Sequence, residues 1–114
     1  MDLQQADSRE RTHELGRIAG NAKKASEFLK ALAHESRLLM LCILAEGEKS
    51  VSELEELLNL RQPTVSQQLA RLRADGLVST RRAGKAIYYR LASEEARVVI
   101  GAVYDVFCRK QRKR

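Results

Sequence analysis

The sequence predicts a mainly α-helical chain with a small β-hairpin near its end, in the order α-α-α-α-β-β-α. Three observations carry this. Apolar residues recur at three- and four-residue spacing from Leu15 through Leu72. β-Formers (Val78, Thr80, Ile87, Tyr88, Tyr89) then take over on either side of Ala83-Gly84. Helical spacing returns with Ala96, Val99, Ile100, Val103 and Phe107. Aromatic residues make up only 4% of the chain and Trp is absent, so Leu, Ala, Val and Ile must fill the core. A length of 114 residues suits a single domain with one modest core, expected over 1–114 with frayed ends at 1–10 and 110–114.

The first helix is expected from Ser8 to about Leu32. Its apolar positions Leu15, Ile18, Ala22, Ala25, Leu29 and Leu32 form a narrow heptad-like stripe. That stripe could pack on its own domain or meet a second subunit. A second helix, Glu35 to Ala45, has no charged residue between Leu38 and Leu44 and reads as the central core helix, ended by Gly47. Ser50-x-x-Glu53 is a capping box that opens a third helix through Leu57 or Leu58. Asn59 to Gln62 forms a turn, Pro63 suits the first position of a fourth helix, and Gly76 suits its left-handed cap. Strands follow at Leu77–Arg82 and Ala86–Leu91, and Ser93 caps the last helix.

Charge is distributed unevenly along this frame. Residues 1–60 carry a net −3, residues 61–90 carry +6 and residues 91–114 carry +3. A basic segment alone would read as a solvated surface. Here it coincides with two helices joined by a short turn and followed by a hairpin, the layout of a winged helix-turn-helix. In the fourth helix Val65, Leu69 and Leu72 share one face. Gln62, Thr64, Ser66, Gln67, Gln68 and Arg71 lie elsewhere, with hydrogen-bonding groups suited to base edges and phosphates. Arg81, Arg82 and Lys85 on the hairpin could follow the DNA backbone. Double-stranded DNA is therefore the expected partner, and a protein-binding winged helix is the rival.

Other classes find little support. No nucleophile–base constellation, Gly-rich phosphate loop or second domain points to an enzyme. No apolar run approaches a membrane span and the charged start is no signal peptide, so a cytoplasmic protein with no membrane partner is expected. No cofactor is expected. The only imidazoles are His13, near the chain start, and His34, read as structural, so no metal site is expected.

Two cysteines remain, Cys42 in the core helix and Cys108 near the end of the last one. Each alone could be a small buried hydrophobe. Both also sit where helices of this architecture should cross, which suits a redox pair. Arg109, Lys110 and Arg112 beside Cys108 would favour its thiolate if they point inward.

Three stretches stand out together: Leu32-Ala33-His34-Glu35-Ser36-Arg37-Leu38, the run Gln62 to Leu72 with Asp75-Gly76-Leu77-Val78, and Arg81-Arg82-Ala83-Gly84-Lys85 with Tyr88-Tyr89. In these the chain resembles the ArsR/SmtB-type bacterial repressors, over about residues 25–110. Glu35 replaces a frequent Pro, and Gln68 stands where His is common. The resemblance implies a helical homodimer, built mainly from the first and last helices, on a palindromic operator. The metal-binding members carry a Cys-x-Cys pair where this chain has Ser50-Val51-Ser52.

Leu41-Cys42-Ile43-Leu44 paired with Tyr104-Asp105-Val106-Phe107-Cys108 is similar to the persulfide-sensing, BigR/SqrR-like branch of that family. Gly47-Glu48-x-Ser50-Val51-x-Glu53-Leu54-Glu55 fits the same branch. What the branch implies is a dithiol that binds the operator when reduced, with a small reactive sulfur species as inducer. Sulfur then links Cys42 and Cys108, and genes for sulfide handling are released. A general thiol–disulfide switch remains the competing sensor chemistry.

Overall fold

The structure is a computed structural model that describes residues 8–108. It falls into two compact units divided between Leu32 and Ala33. The first unit is the helix α1, Ser8–Leu32. Glu10 in its first turn and Lys30 in its last oppose the helix dipole, and Glu14 pairs with Arg17 at 3.3 Å. Leu15, Ile18 and Leu29 of the stripe are exposed, at 53%, 45% and 53%, so this chain alone leaves half of each uncovered. The expected fraying at 1–10 and 110–114 falls almost wholly outside the described residues, and 8–10 are helical.

The second unit begins with α2, Glu35–Glu46, and a short strand β1, Lys49–Ser50. Next come α3, Val51–Leu58, and α4, Gln62–Ala74. The strands β2, Val78–Ala83, and β3, Ala86–Leu91, lead into α5, Glu94–Val103, which continues as a π-helical turn over Tyr104–Cys108. The expected order of helices and hairpin is therefore present, and the structure adds β1. Two residues are too few to show a period-two pattern, so nothing in the sequence announces that strand. It pairs antiparallel with β3 (Lys49 opposite Tyr89, Ser50 opposite Tyr88), which gives a three-stranded sheet of order β1-β3-β2.

Helix α2 is the hub. It packs against α3, α4, α5 and β3 and buries Met40, Leu41 and Leu44. Leu54 from α3, Val65, Leu69 and Leu72 from α4, and Ala96 and Ile100 from α5 complete the core with Leu77, Val78 and Leu91. Local chemistry sets the boundaries. Ser50 Oγ accepts from Glu53 N–H while the Glu53 carboxylate accepts from Ser50 N–H, closing the capping box. Asn59, at φ 55°, ends α3 in the left-handed region that Asn tolerates. Gly76 at φ 75° turns the chain out of α4 into the sheet. The hairpin closes between Ala83 and Ala86 with Gly84 at φ 62°, the positive value a tight hairpin turn needs at its first central residue.

The end of the last helix leaves the core. Phe107 shares the helical spacing of Ala96 and Ile100, yet it is 80% exposed. None of Tyr104–Cys108 is buried, so the whole π-helical turn runs past the core of this chain.

Candidate nucleic-acid interface and cysteine pair

Helix α4 divides as its sequence predicts. Val65, Leu69 and Leu72 are fully buried. Gln62, Thr64, Gln67 and Arg71 are exposed, with Ser66 and Gln68 half-buried between the two faces. Pro63 in the first turn removes an N–H that would have no partner there, and the remaining N–H groups leave the positive end of the helix open. Gln62 Nε2 donates to Ser66 Oγ at 3.4 Å along this face. Arg71 lies 3.5 Å from Asp75, an exposed i,i+4 pair that costs little to open when a stronger anion arrives.

Two of the expected reading residues are engaged elsewhere. Gln68 Oε1 accepts from Arg37 Nη1 at 3.4 Å, which ties α4 to the core helix α2. Arg37 itself is buried, and sequence reading passed over it as part of a motif. On the hairpin Arg81 is held at both Nε and Nη2 by the carboxylate of Glu48, with Nε to Oε1 at 2.9 Å. The hydrogen bonds from Arg81 hold the Glu48 carboxyl below its usual range and raise the guanidinium in turn. Arg81 also lies 5.0 Å above the centre of the Tyr88 ring. Arg82 and Lys85 are exposed, and among the described residues neither has a hydrogen-bond or ion-pair partner.

Cys42 is half-buried in α2 and Cys108 is exposed at the end of the π-helical turn, both as free thiols. Burial pushes the Cys42 thiol up, and negative charge on Cys108 and then on Glu46 pushes it further. The two thiols therefore lie within electrostatic reach of one another. Arg109, Lys110 and Arg112, expected to favour the Cys108 thiolate, lie outside the described residues. His34 is exposed and caps α2 without a side-chain hydrogen bond to a backbone N–H of the helix. Its ring Nδ1 lies 3.1 Å from Ser36 Oγ. Among the described residues no group of three or more His, Cys, Asp or Glu is placed to hold a metal ion, and no helix is long and apolar enough to cross a membrane.

These shifts give a kinetic expectation. Alkylation requires the thiolate, so the Cys42 rate should rise only at a higher pH than that of free cysteine. Cys108→Ser removes one of the raising charges and should move the Cys42 curve back toward lower pH. Mass-resolved labelling with iodoacetamide across pH checks this, and a Cys42 profile unmoved by the substitution contradicts it.

Comparison with known proteins places this geometry. Residues 34–80 match the model of the bacterial regulatory protein, arsR family. The Biofilm growth-associated repressor of Agrobacterium fabrum is 54% identical over 89 residues, which cover 75% of this chain and 76% of that one. The transcriptional regulator HlyU from Vibrio vulnificus superposes with a TM-score of 0.80 at 44% identity, covering 83% of this chain and 99% of that one. A homodimeric winged helix-turn-helix DNA-binding domain from Mycobacterium bovis superposes with a TM-score of 0.68 at 34% identity, over 79% of this chain and 83% of that one. With a winged helix-turn-helix core, a polar α4 face and relatives that are transcriptional regulators, the chain belongs to the arsR family of bacterial regulatory proteins, a family of DNA-binding regulators and not of enzymes.

Proposed function

We propose that the chain is a dimeric repressor that holds operator DNA while Cys42 and Cys108 are reduced, and releases it when sulfane sulfur links them. The observation that carries this reading is the packing of α2, which holds Cys42, against α5, whose continuation ends at Cys108, 66 positions later in the chain. Dimerisation is supported by the exposed stripe of α1 and by Val98, Tyr104, Val106 and Phe107, all at least 49% exposed on the isolated chain. The M. bovis relative is homodimeric. Gln62, Thr64, Ser66, Gln67 and Arg71 would read and grip the major groove from α4, while Arg82 and Lys85 follow the backbone from the hairpin.

The sulfur step can be written in full for an organic trisulfide, R–S–S–S–R. The exposed Cys108 thiolate attacks the central sulfur and expels RS⁻, leaving Cys108–S–S–S–R. Cys42, deprotonated in turn, attacks the same sulfur of the original trio and expels the second RS⁻. A Cys108–S–S–S–Cys42 bridge results. The two protein thiols are oxidised, and the trisulfide is reduced to two thiols. This bridge ties the end of α5 to the core helix, beside the surfaces offered for dimerisation. The released genes would be those that handle sulfide.

A single titration tests the whole reading. A duplex selected by the wild-type protein from a random pool is followed by fluorescence anisotropy, first in reductant, then after the trisulfide, then with zinc. Reduced binding should weaken with salt at a slope of about −0.9 per phosphate contacted, the trisulfide should release the duplex, and zinc should not. Salt-independent binding, or release by zinc alone, would overturn it.

A further inference from the structure

We infer that Arg81 is a positioning residue of the hairpin, locked by Glu48 and Tyr88, and that it does not itself grip DNA phosphate. This rests on the DNA-binding reading above.

Glu48 precedes β1, Tyr88 lies on β3 and Arg81 on β2, so the three side chains form a diagonal strut across all three strands of the sheet. The guanidinium spends its Nε and Nη2 on one carboxylate and its face on the Tyr88 ring. Three of its five N–H donors remain, but its charge is already matched by the Glu48 carboxylate and its direction is fixed by both partners. Arg90, a nearby cation, donates to Ser79 Oγ at 3.3 Å and acts on Glu48 through its charge, while the hydrogen bonds to the carboxylate come from Arg81. The neighbouring residue Arg82 alternates to the opposite face of the strand, and Lys85 stands in the turn. Those two cations are exposed.

The hairpin needs such a strut. The last β1 partner of β3 is Tyr88, so the pairs Arg82–Ile87 and Ala83–Ala86 project beyond the third strand with only each other for support. Ile87 is 38% exposed, which shows how little packing holds that end. A diagonal brace from Glu48 to Arg81 sets the angle at which the projecting end, with Arg82 and Lys85, leaves the body of the sheet.

Charge arithmetic makes the test sharp. Removing a carboxylate from a DNA-facing surface favours binding on electrostatic grounds alone. If Glu48 is a strut, Glu48→Gln should instead weaken binding of the selected duplex, by about three- to fivefold. Arg81→Gln should weaken it by a similar factor, the double Glu48→Gln/Arg81→Gln should be no worse than either single, and the swap Glu48→Arg/Arg81→Glu should recover most of the loss. Thermal unfolding midpoints should stay close to wild type, because both groups are exposed.

If Arg81 grips phosphate, Glu48→Gln binds as well as wild type or better. Arg81→Gln alone then cuts the salt slope by about one contact, and the swap is the weakest binder. Either of those results overturns the inference. A wild-type chain that shows no salt-dependent duplex binding overturns the DNA-binding reading instead, so the two failures are distinct.

Discussion

Replacing Gln67 and Arg71 together with alanine should cost at least a hundredfold in affinity for the selected duplex, about 2.8 kcal/mol, while the fold stays intact. Both side chains leave the exposed face of α4, opposite the buried Val65, Leu69 and Leu72. Neither supports the core, and among the described residues the only ion pair broken is the surface contact between Arg71 and Asp75. A well-made bidentate contact with a base edge is worth about 1–3 kcal/mol, and a dimer would lose each of them twice. Anisotropy reads the affinity, and circular dichroism with thermal melting confirms the helices. Binding within threefold of wild type would show that α4 is not the reading element and would favour a protein-binding winged helix.

The second large effect concerns release and leaves affinity in the reduced state alone. Cys42→Ser and Cys108→Ser should each bind the duplex as tightly as reduced wild type and ignore the trisulfide. Wild type should lose at least tenfold, about 1.4 kcal/mol of coupling. Mass spectrometry of the treated wild type should find one sulfur gained and two hydrogens lost, within a single chain. A loss of two hydrogens with no sulfur gained, produced equally by peroxide, would point to the general disulfide switch. Release of the double variant by the trisulfide would remove the cysteines from the mechanism.

Much of this was legible in the residues because the signals are local. Ser50 and Glu53 are three apart, Pro63 and Gly76 mark the ends of one helix, and the buried face of α4 repeats with the helical period. The sequence is silent where the decisive partner is distant. Nothing in the pattern around Arg81 points to Glu48, 33 positions earlier, or turns Gln68 toward Arg37, 31 positions earlier. A polar side chain on a helix or hairpin surface looks free until the fold brings its partner alongside. The strand β1 was hidden by its brevity, and the exposure of Phe107 by its place beyond the last buried turn, Ala96–Ile100, which apolar spacing does not report. Spacing alone shows the cysteines as two residues on helices expected to cross, and their reading as a sensing pair comes from the family resemblance.

The π-helical turn at Tyr104–Cys108 has a consequence for how such chains can tolerate insertions and deletions. A turn of this kind holds one residue more than the α-helical turn it replaces. Its spare residue decouples the length of the last helix from the azimuth of the thiol at its end. Deleting a single residue between Val103 and Phe107 would let the segment rewind as α-helix, with the cysteine still on the side of the helix it now occupies. Adding one residue has no such slack to absorb it, and would carry the sulfur about 100° around the axis, off the side of the helix it now occupies.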